Sequence, residues 1–313
     1  MTAREEHTES TSGSLLKIAL VGYGRWGTNV ARDLSLTEGA ALTHVVDVSP
    51  QALGRAAKAH PAAAMAVRLA DVLDAVDAIA ICTPPATHVD LAVAAVASSK
   101  HVFVEKPIAM VAAEAERLEA MSAARRRVLA VGHQMLYHGA FEELRRVVAS
   151  GEFGPLRAVR SERSGVVDAT RDPGVLWAYG PHDVSMILEL VGRPPRAIRA
   201  QSCAPDEVSL SLDFGDGLAS TTLLRGRAQA RVRRLTAICE RGEVDFDDFL
   251  PPEAPLPLAR ELADFVACAF GGGRPRSDGR LGVLVTRVLA DAGRMLAEER
   301  PATSSFRWTR ALS

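Results

Sequence analysis

Two hydrophobic rhythms alternate between Leu15 and His133. Short runs of almost uninterrupted apolar and β-branched residues, LLKIALVG, LTHVVDV, AIAICTPP, HVFVEKP and VLAVGHQ, are separated by Ala-rich stretches whose apolar residues recur at helical spacing. Those stretches are RWGTNVARDL, PQALGRAAKAH, ATHVDLAVAAVASS and AAEAERLEAMSAARR. A strand with no polar face must be covered on both sides, and an amphipathic segment after each strand supplies the cover. The region therefore predicts an α/β domain, a doubly wound parallel sheet with crossover helices. Pro50 and Thr87 stand at helix starts, where a first-turn proline or a capping hydroxyl is favoured.

The rhythm changes after a bridging helix, GAFEELRRVVASG. LRAVRSERS, RAIRAQSC, DEVSLSLDF, LASTTLLRG and RRLTAICERG read as strands with no helix between most of them, and DFGDGLAS supplies a hairpin turn. A second α/β domain follows from this, with an open, mostly antiparallel sheet and PHDVSMILELVG packed on it. The proline-crowded PPEAPLP leads into two late helices, near 256–270 and 281–298. The plan is a flexible start over 1–14, a first domain over 15–134 and a second over 135–313.

Composition narrows the partners. A chain of 313 residues with 48% hydrophobic content has enough apolar surface for two joined cores. Its net charge of −1 and scattered cations create no single-signed field for nucleic acid or an anionic membrane, which leaves a small molecule as partner. Cys82, Cys203, Cys239 and Cys268 form no Cys-x-x-Cys pair, so neither a metal site nor a disulfide scaffold is predicted. The polar first 14 residues and the lack of a run of about 18 apolar residues predict a soluble, cytoplasmic protein.

The most specific local signal is KIALVGYGRWGTNVARDL, a strand that runs into Gly22, Gly24 and Gly27 and then a helix. In such a loop the first glycine makes the tight turn, the second lets backbone approach a pyrophosphate, and the third lets helix and strand pack closely. Asp47 follows Gly27 by 20 residues at the end of the next strand, where a carboxylate can hold the adenosine ribose hydroxyls. That carboxylate repels a 2′-phosphate, which favours NAD; Arg25 or Arg55 could still fold over a phosphate, so NADP stays open. Tyr23, Arg25 and Trp26 fill the loop and join the cofactor-binding candidates.

From EKP, Glu105–Pro107, the chain resembles the Gfo/Idh/MocA family of oxidoreductases. The resemblance is carried in order by VGYGRWG, CTPPATH, EKP, VGHQMLYHGAFEELRRVVASGEFGPLRAV, GVLWAYGPHD, FGDG and GRPRSDGRLGVLVTRVLADA. It implies a Rossmann domain and an α/β domain whose open sheet covers the nicotinamide. It also implies hydride transfer between nicotinamide C4 and a carbinol or ketone carbon of a sugar, cyclitol or nucleotide-linked sugar. Lys106 then serves cofactor and substrate, His182 acts as acid or base, and Thr83, Pro84 and Pro85 touch cofactor. A homodimer or homotetramer, joined through the open sheet, is implied as well.

General chemistry agrees with these roles. Oxidising an alcohol by hydride loss requires a group that takes the hydroxyl proton, and histidine and lysine are suited to it. Lys106 ends a parallel strand, where open α/β sheets bind ligands. Glu105, His88 and Gln134 complete the cofactor candidates. On the substrate side stand Tyr137, Arg163, Arg171, Trp177, Tyr179 and Asp183, since arginine suits an anionic group and an indole face suits a sugar ring.

One departure stands out. The family's Asp-x-x-x-His element would place an aspartate four residues before His182, and this chain has Ala178 there. Three readings follow: an oxidoreductase in which Lys106 and His182 suffice; a ketosugar reductase that uses Lys106 with a tyrosine; or a cofactor-binding sensor or scaffold with little catalysis.

Overall fold

The computed structural model describes residues 15–167, 174–247 and 254–299. The chain divides into two compact units, Met1–Gly139 with Pro252–Val283, and Ala140–Pro251 with Leu284–Ser313.

In the first unit, β1 (Leu16–Val21), β2 (Ala40–Val46), β3 (Ala64–Ala66), β4 (Ala78–Ile81), β5 (His101–Val104) and β6 (Leu129–Val131) form one sheet in the order β3-β2-β1-β4-β5-β6. Every pairing in it is parallel. Successive residues of β1 enter opposite cores. Ile18 and Leu20 pack with α1 (Gly27–Leu34) and α2 (Pro50–Ala59), while Ala19 and Val21 pack on the side of α3 (His88–Ala97) and α4 (Ala112–Ala124). This double burial is why the strands read as continuous apolar runs. β3 escapes a sequence reading because three residues are too few to show a period.

The chain leaves through α5 (Gly139–Ser150) and later α6 (Val175–Val191), then returns to the first unit with α7 (Pro257–Gly271). Leu258, Leu262 and Phe265 of α7 join the core of Ile18 and Leu20, and the rings of Phe103 and Phe265 lie 6.0 Å apart. A single cut near residue 134 therefore does not describe the molecule. An amphipathic helix carries no local mark of which sheet it will cover, so the sequence placed α7 with the second domain.

In the second unit, β7 (Leu156–Val166), β8 (Ala197–Ala204), β9 (Glu207–Gly215), β10 (Leu218–Arg225), β11 (Arg227–Cys239) and β12 (Gly242–Asp247) form a sheet in the order β12-β11-β7-β10-β9-β8. Only β7 and β10 pair in parallel. The DFGDG hairpin forms as expected, with Gly215, Asp216 and Gly217 at φ 80°, 57° and 76°. β12 was hidden by its alternating acids, yet pairing with β11 buries Phe246.

One face of this sheet buries Leu210, Leu212, Phe214, Leu224 and Leu235. The other carries a polar ladder in which Arg225 bonds Glu162 and, at 3.2 Å, Glu207, while Thr236 donates to Asp245 at 2.5 Å.

α6 starts at Val175, well before the expected start at Pro181, and carries that proline inside the helix. α8 (Gly279–Glu298) closes the described chain. Thr87 does not cap α3: its hydroxyl lies 2.7 Å from Thr83 Oγ1 and 2.9 Å from the Pro84 carbonyl. No helix among the described residues is long and apolar enough to cross a membrane. The start at 1–14 lies outside the described residues.

Candidate functional site

Two of the three glycines leave no room for a side chain. Gly22 has φ 94°, and a Cβ there would stand 2.7 Å from the Cys82 carbonyl oxygen; a Cβ on Gly27 would come within 2.0 Å of the Gly22 oxygen. Gly24 differs, since it is exposed and a Cβ on it would meet nothing within 4 Å. It leaves open space above the loop, beside an α1 N-terminus that has no side-chain cap. Backbone amides at such an end suit an anion.

Asp47 fixes this loop to the end of β2. Its Oδ2 accepts the Tyr23 amide at 2.7 Å and its Oδ1 the Ser49 amide at 2.8 Å. Each carboxylate oxygen keeps a second lone pair for a ribose hydroxyl. Arg25 is exposed, and Arg55 reaches only to 3.5 Å from the Tyr23 carbonyl. The glycines, the uncapped helix end and Asp47 together fit a dinucleotide.

At the carboxyl end of β5, Glu105 bridges the cradle and Lys106. Trp26 of the glycine loop donates its indole N–H to Glu105 Oε1, and the Lys106 amide donates to Oε2 at 3.2 Å. A methyl group on Gly132 would stand 2.9 Å from the carboxyl carbon and both oxygens. Burial pushes Glu105 up to about 7, although the Lys106 charge, the indole and the amide all pull it down. The group that precedes the lysine thus titrates near neutral pH.

Two further residues of this neighbourhood escaped the sequence reading. His133, just past β6, is 1% exposed, and neither ring nitrogen has a hydrogen-bond partner. Burial and the Lys106 charge push it down to about 3, so it stays neutral. Glu261 on α7 is also 1% exposed. Burial and then the nearby Glu105 carboxyl raise it well above the carboxylate range. The Ser277 hydroxyl and His133 amide oppose that rise without completing a bond of normal geometry. Its signal was available: in PLARELADF, Glu261 falls on the apolar stripe of Leu258, Leu262 and Phe265.

In the second unit, α6 carries His182 partly exposed, with Ala178 buried one turn before it and Asp183 buried just after it. Asp183 Oδ2 accepts from Arg163 Nε at 2.6 Å, and both side chains are almost wholly enclosed. The Tyr179 hydroxyl lies over β7, 2.8 Å from where a Cβ on Gly165 would stand.

Residues 16–133 match the family model GFO_IDH_MocA, described as an oxidoreductase family with an NAD-binding Rossmann fold. A solved protein from Magnetospirillum magnetotacticum MS-1 superposes with a TM-score of 0.79 at 31% identity, over 88% of this chain and 99% of its own. This chain belongs to the Gfo/Idh/MocA family.

Among curated members, UDP-N-acetylglucosamine 3-dehydrogenase of Acidithiobacillus ferrooxidans is 30% identical over 60% of this chain and 58% of its own length. Inositol 2-dehydrogenase of Rhizobium meliloti is 29% identical over 64% of this chain and 62% of its own. The matched segments thus span about three fifths of these two relatives.

Seen as a Gfo/Idh/MocA member, the protein keeps its cradle and its Glu-Lys-Pro turn in one unit but places several expected ligand contacts elsewhere. His88 is buried, with Nδ1 2.8 Å from the Pro107 carbonyl and Nε2 2.8 Å from the Thr83 carbonyl, so it ties two turns together and has no nitrogen left for cofactor. Tyr137 is buried and donates to Asp264 at 2.6 Å with the Arg276 guanidinium 5.1 Å from its ring, which makes it a packing residue.

Arg163 and Asp183 are committed to each other, so neither is a substrate ligand. The error is common to all four: a polar residue near a predicted cleft was read as facing it, while burial turned its polar atoms toward protein partners. Gln134 and Trp177 are partly buried, Thr83, Pro84 and Pro85 form the turn after β4, and Arg171 lies outside the described residues. Among those described, no group of three or more His, Cys, Asp or Glu could hold a metal.

Proposed function

We propose that this Gfo/Idh/MocA member is an NAD-dependent oxidoreductase acting on a carbinol or ketone carbon of a sugar, cyclitol or nucleotide-linked sugar. Lys106 and His182 handle the proton. The observation that carries the reading is the Trp26–Glu105 hydrogen bond, which ties the turn bearing Lys106 to the phosphate cradle. A lysine with no role at the cofactor would not need its neighbour fastened to the glycine loop.

NAD, when bound, supplies or accepts hydride at nicotinamide C4. The chain's own residues do the rest: Gly22, Gly24, Gly27 and the α1 amides take the pyrophosphate, Asp47 the ribose, and Lys106 and His182 the substrate hydroxyl proton. The relatives named for UDP-N-acetylglucosamine and inositol support the substrate class. A cytoplasmic homodimer or homotetramer completes the proposal.

Ala178 favours a second reading, cofactor binding with weak catalysis, because a methyl group replaces the expected carboxylate one turn before His182. The lysine–tyrosine version gains less, since the Tyr137 hydroxyl is bonded to Asp264 and the Tyr179 hydroxyl packs over Gly165.

The test follows reduced-cofactor absorbance with NAD or NADH against a panel of inositols, sugars and UDP-hexosamines. Turnover is expected with at least one, and Lys106→Ala and His182→Ala should each slow it by about 10²–10⁴-fold while NAD still binds. A wild type as silent as both variants across the panel, yet binding NAD, would sink the enzyme reading and leave the second one.

A further inference from the structure

A cavity of 390 Å³ lies at the opposite edge of the first sheet from the glycine cradle, where β5 and β6 begin. His101, Arg126, Arg127, Arg274, Glu119 and Asp278 line it. Its acids are already committed. Glu119 lies 3.6 Å from Arg280, and Asp278 lies 3.8 Å from Arg274 while its Oδ1 accepts the Leu281 amide at 3.0 Å. The N-terminal end of the 20-residue α8 meets the same cavity at Gly279.

Its donors are not satisfied. His101 is 9% exposed, with Nδ1 3.1 Å from the Val128 amide and Nε2 3.2 Å from Arg127 Nη1. Burial first and Arg127 second push His101 down to about 4, so the ring is neutral and carries a single N–H. Whichever nitrogen holds that hydrogen, it points at another donor. Arg127 Nε is itself buried without an acceptor.

Arg126 adds an independent sign. It follows the C-cap of α4 at φ 53°, the left-handed position where glycine is preferred. The Arg126 and Arg127 amides close the helix onto the Ala123 and Ser122 carbonyls at 3.0 Å each. Favourable interaction with the helix dipole accounts for cations here, but not for a donor set against a donor or for a buried Nε with no acceptor.

We propose that this cavity is an oxyanion site, remote from the cofactor cradle, that takes a phosphate group, free or carried by a small metabolite. A phosphate accepts from the Arg126 and Arg127 guanidinium groups that line the cavity and offsets the charge set against the buried His101 ring, and the Arg126 side chain explains why the turn forgoes glycine. The volume exceeds that of a bare phosphate and suits a small phosphomonoester.

Calorimetric titration of the full chain at constant ionic strength, first with inorganic phosphate and then with glycerol 2-phosphate, tests it. Phosphate should bind, and Arg127→Gln should weaken binding at least about tenfold, the worth of one charge-assisted hydrogen bond. Arg126→Gly should weaken it as well while raising Tm in phosphate-free buffer, because relief of the left-handed arginine and loss of the ligand contact act in opposite directions. Tighter glycerol 2-phosphate binding identifies a phosphorylated metabolite as the occupant, and tighter inorganic phosphate binding identifies the free ion. No phosphate binding, or binding indifferent to both substitutions as phosphate in the glycine cradle would be, overturns the proposal.

Discussion

Glu105–Lys106 and His182–Asp183 are two versions of one arrangement, a proposed proton carrier with an enclosed carboxyl as its chain neighbour. In the first unit the carboxyl accepts from an indole N–H and a backbone amide with the Lys106 charge nearby, and burial still raises it to about 7. In the second it meets a guanidinium at 2.6 Å; burial still pushes Asp183 upward, but Arg163 pulls it back through both charge and hydrogen bond. A carboxyl whose hydrogen-bond donors are neutral dipoles is thus left able to change charge near neutral pH even with the Lys106 charge nearby, whereas a guanidinium bonded to it at 2.6 Å commits it to a structural pair. The carboxyl of the first region is left free to change charge, and that of the second holds α6 on β7.

Breaking the pair in the second region should give the largest effect. Arg163→Met leaves Asp183 buried without its cation and should cost about 3–5 kcal/mol in denaturant unfolding. Arg163→Met with Asp183→Leu should recover most of that loss, since an apolar replacement of similar volume removes both desolvation penalties. If the single variant lost less than about 1 kcal/mol, the value of an exposed ion pair, Asp183 would not be clamped and the contrast with Glu105 would disappear.

How much of this contrast could be read beforehand depended on range. The glycine loop, Asp47 and Lys106 were legible because strand ends and fixed spacings place them locally. Arg163 and Asp183 were visible as charges but not as partners, since a separation of 20 positions says nothing about which face of β7 meets α6. Pro181 reads as a helix start, and only packing shows that α6 begins at Val175. The return of α7, which brings Glu261 toward Glu105, left one trace, a charge on an apolar stripe.

A smaller effect should appear as a pH dependence in the first region. Glu105 binds its proton more tightly folded than unfolded, so it contributes a loss of stability as pH rises from about 4.5 to about 7, amounting to at most about 3 kcal/mol above that window. His133 and His101 act in the opposite sense. Both are pushed down, to about 3 and about 4, so their contribution is present above about 6.5 and fades as pH falls. Wild type alone would therefore show a muted slope. The informative quantity is the stability of Glu105→Gln minus that of wild type, measured by urea unfolding from pH 4.5 to 8, where the histidine contributions cancel. It should climb with pH by up to about 3 kcal/mol. A flat difference would mean that Glu105 is ionised throughout and that the Lys106 charge outweighs its burial.

The smallest effect tests whether neutral dipoles also hold the turns around Lys106. His88 stands between the Thr83 and Pro107 carbonyls at 2.8 Å from each, yet burial and the Lys106 charge hold it below its ordinary pKa. A neutral ring donates only once, so one carbonyl faces a lone pair and the two contacts together are worth little more than a single hydrogen bond. His88→Ala should therefore cost about 1–3 kcal/mol, the loss of one bond with two buried acceptors left behind, and less than Arg163→Met. Because His88 acts through the turns at Thr83 and Pro107 rather than on a ligand, NAD should bind more weakly while the pH–rate profile stays unchanged. A shifted profile with unaltered NAD affinity would place His88 among the proton-handling groups and remove it from the dipolar scaffold around Glu105.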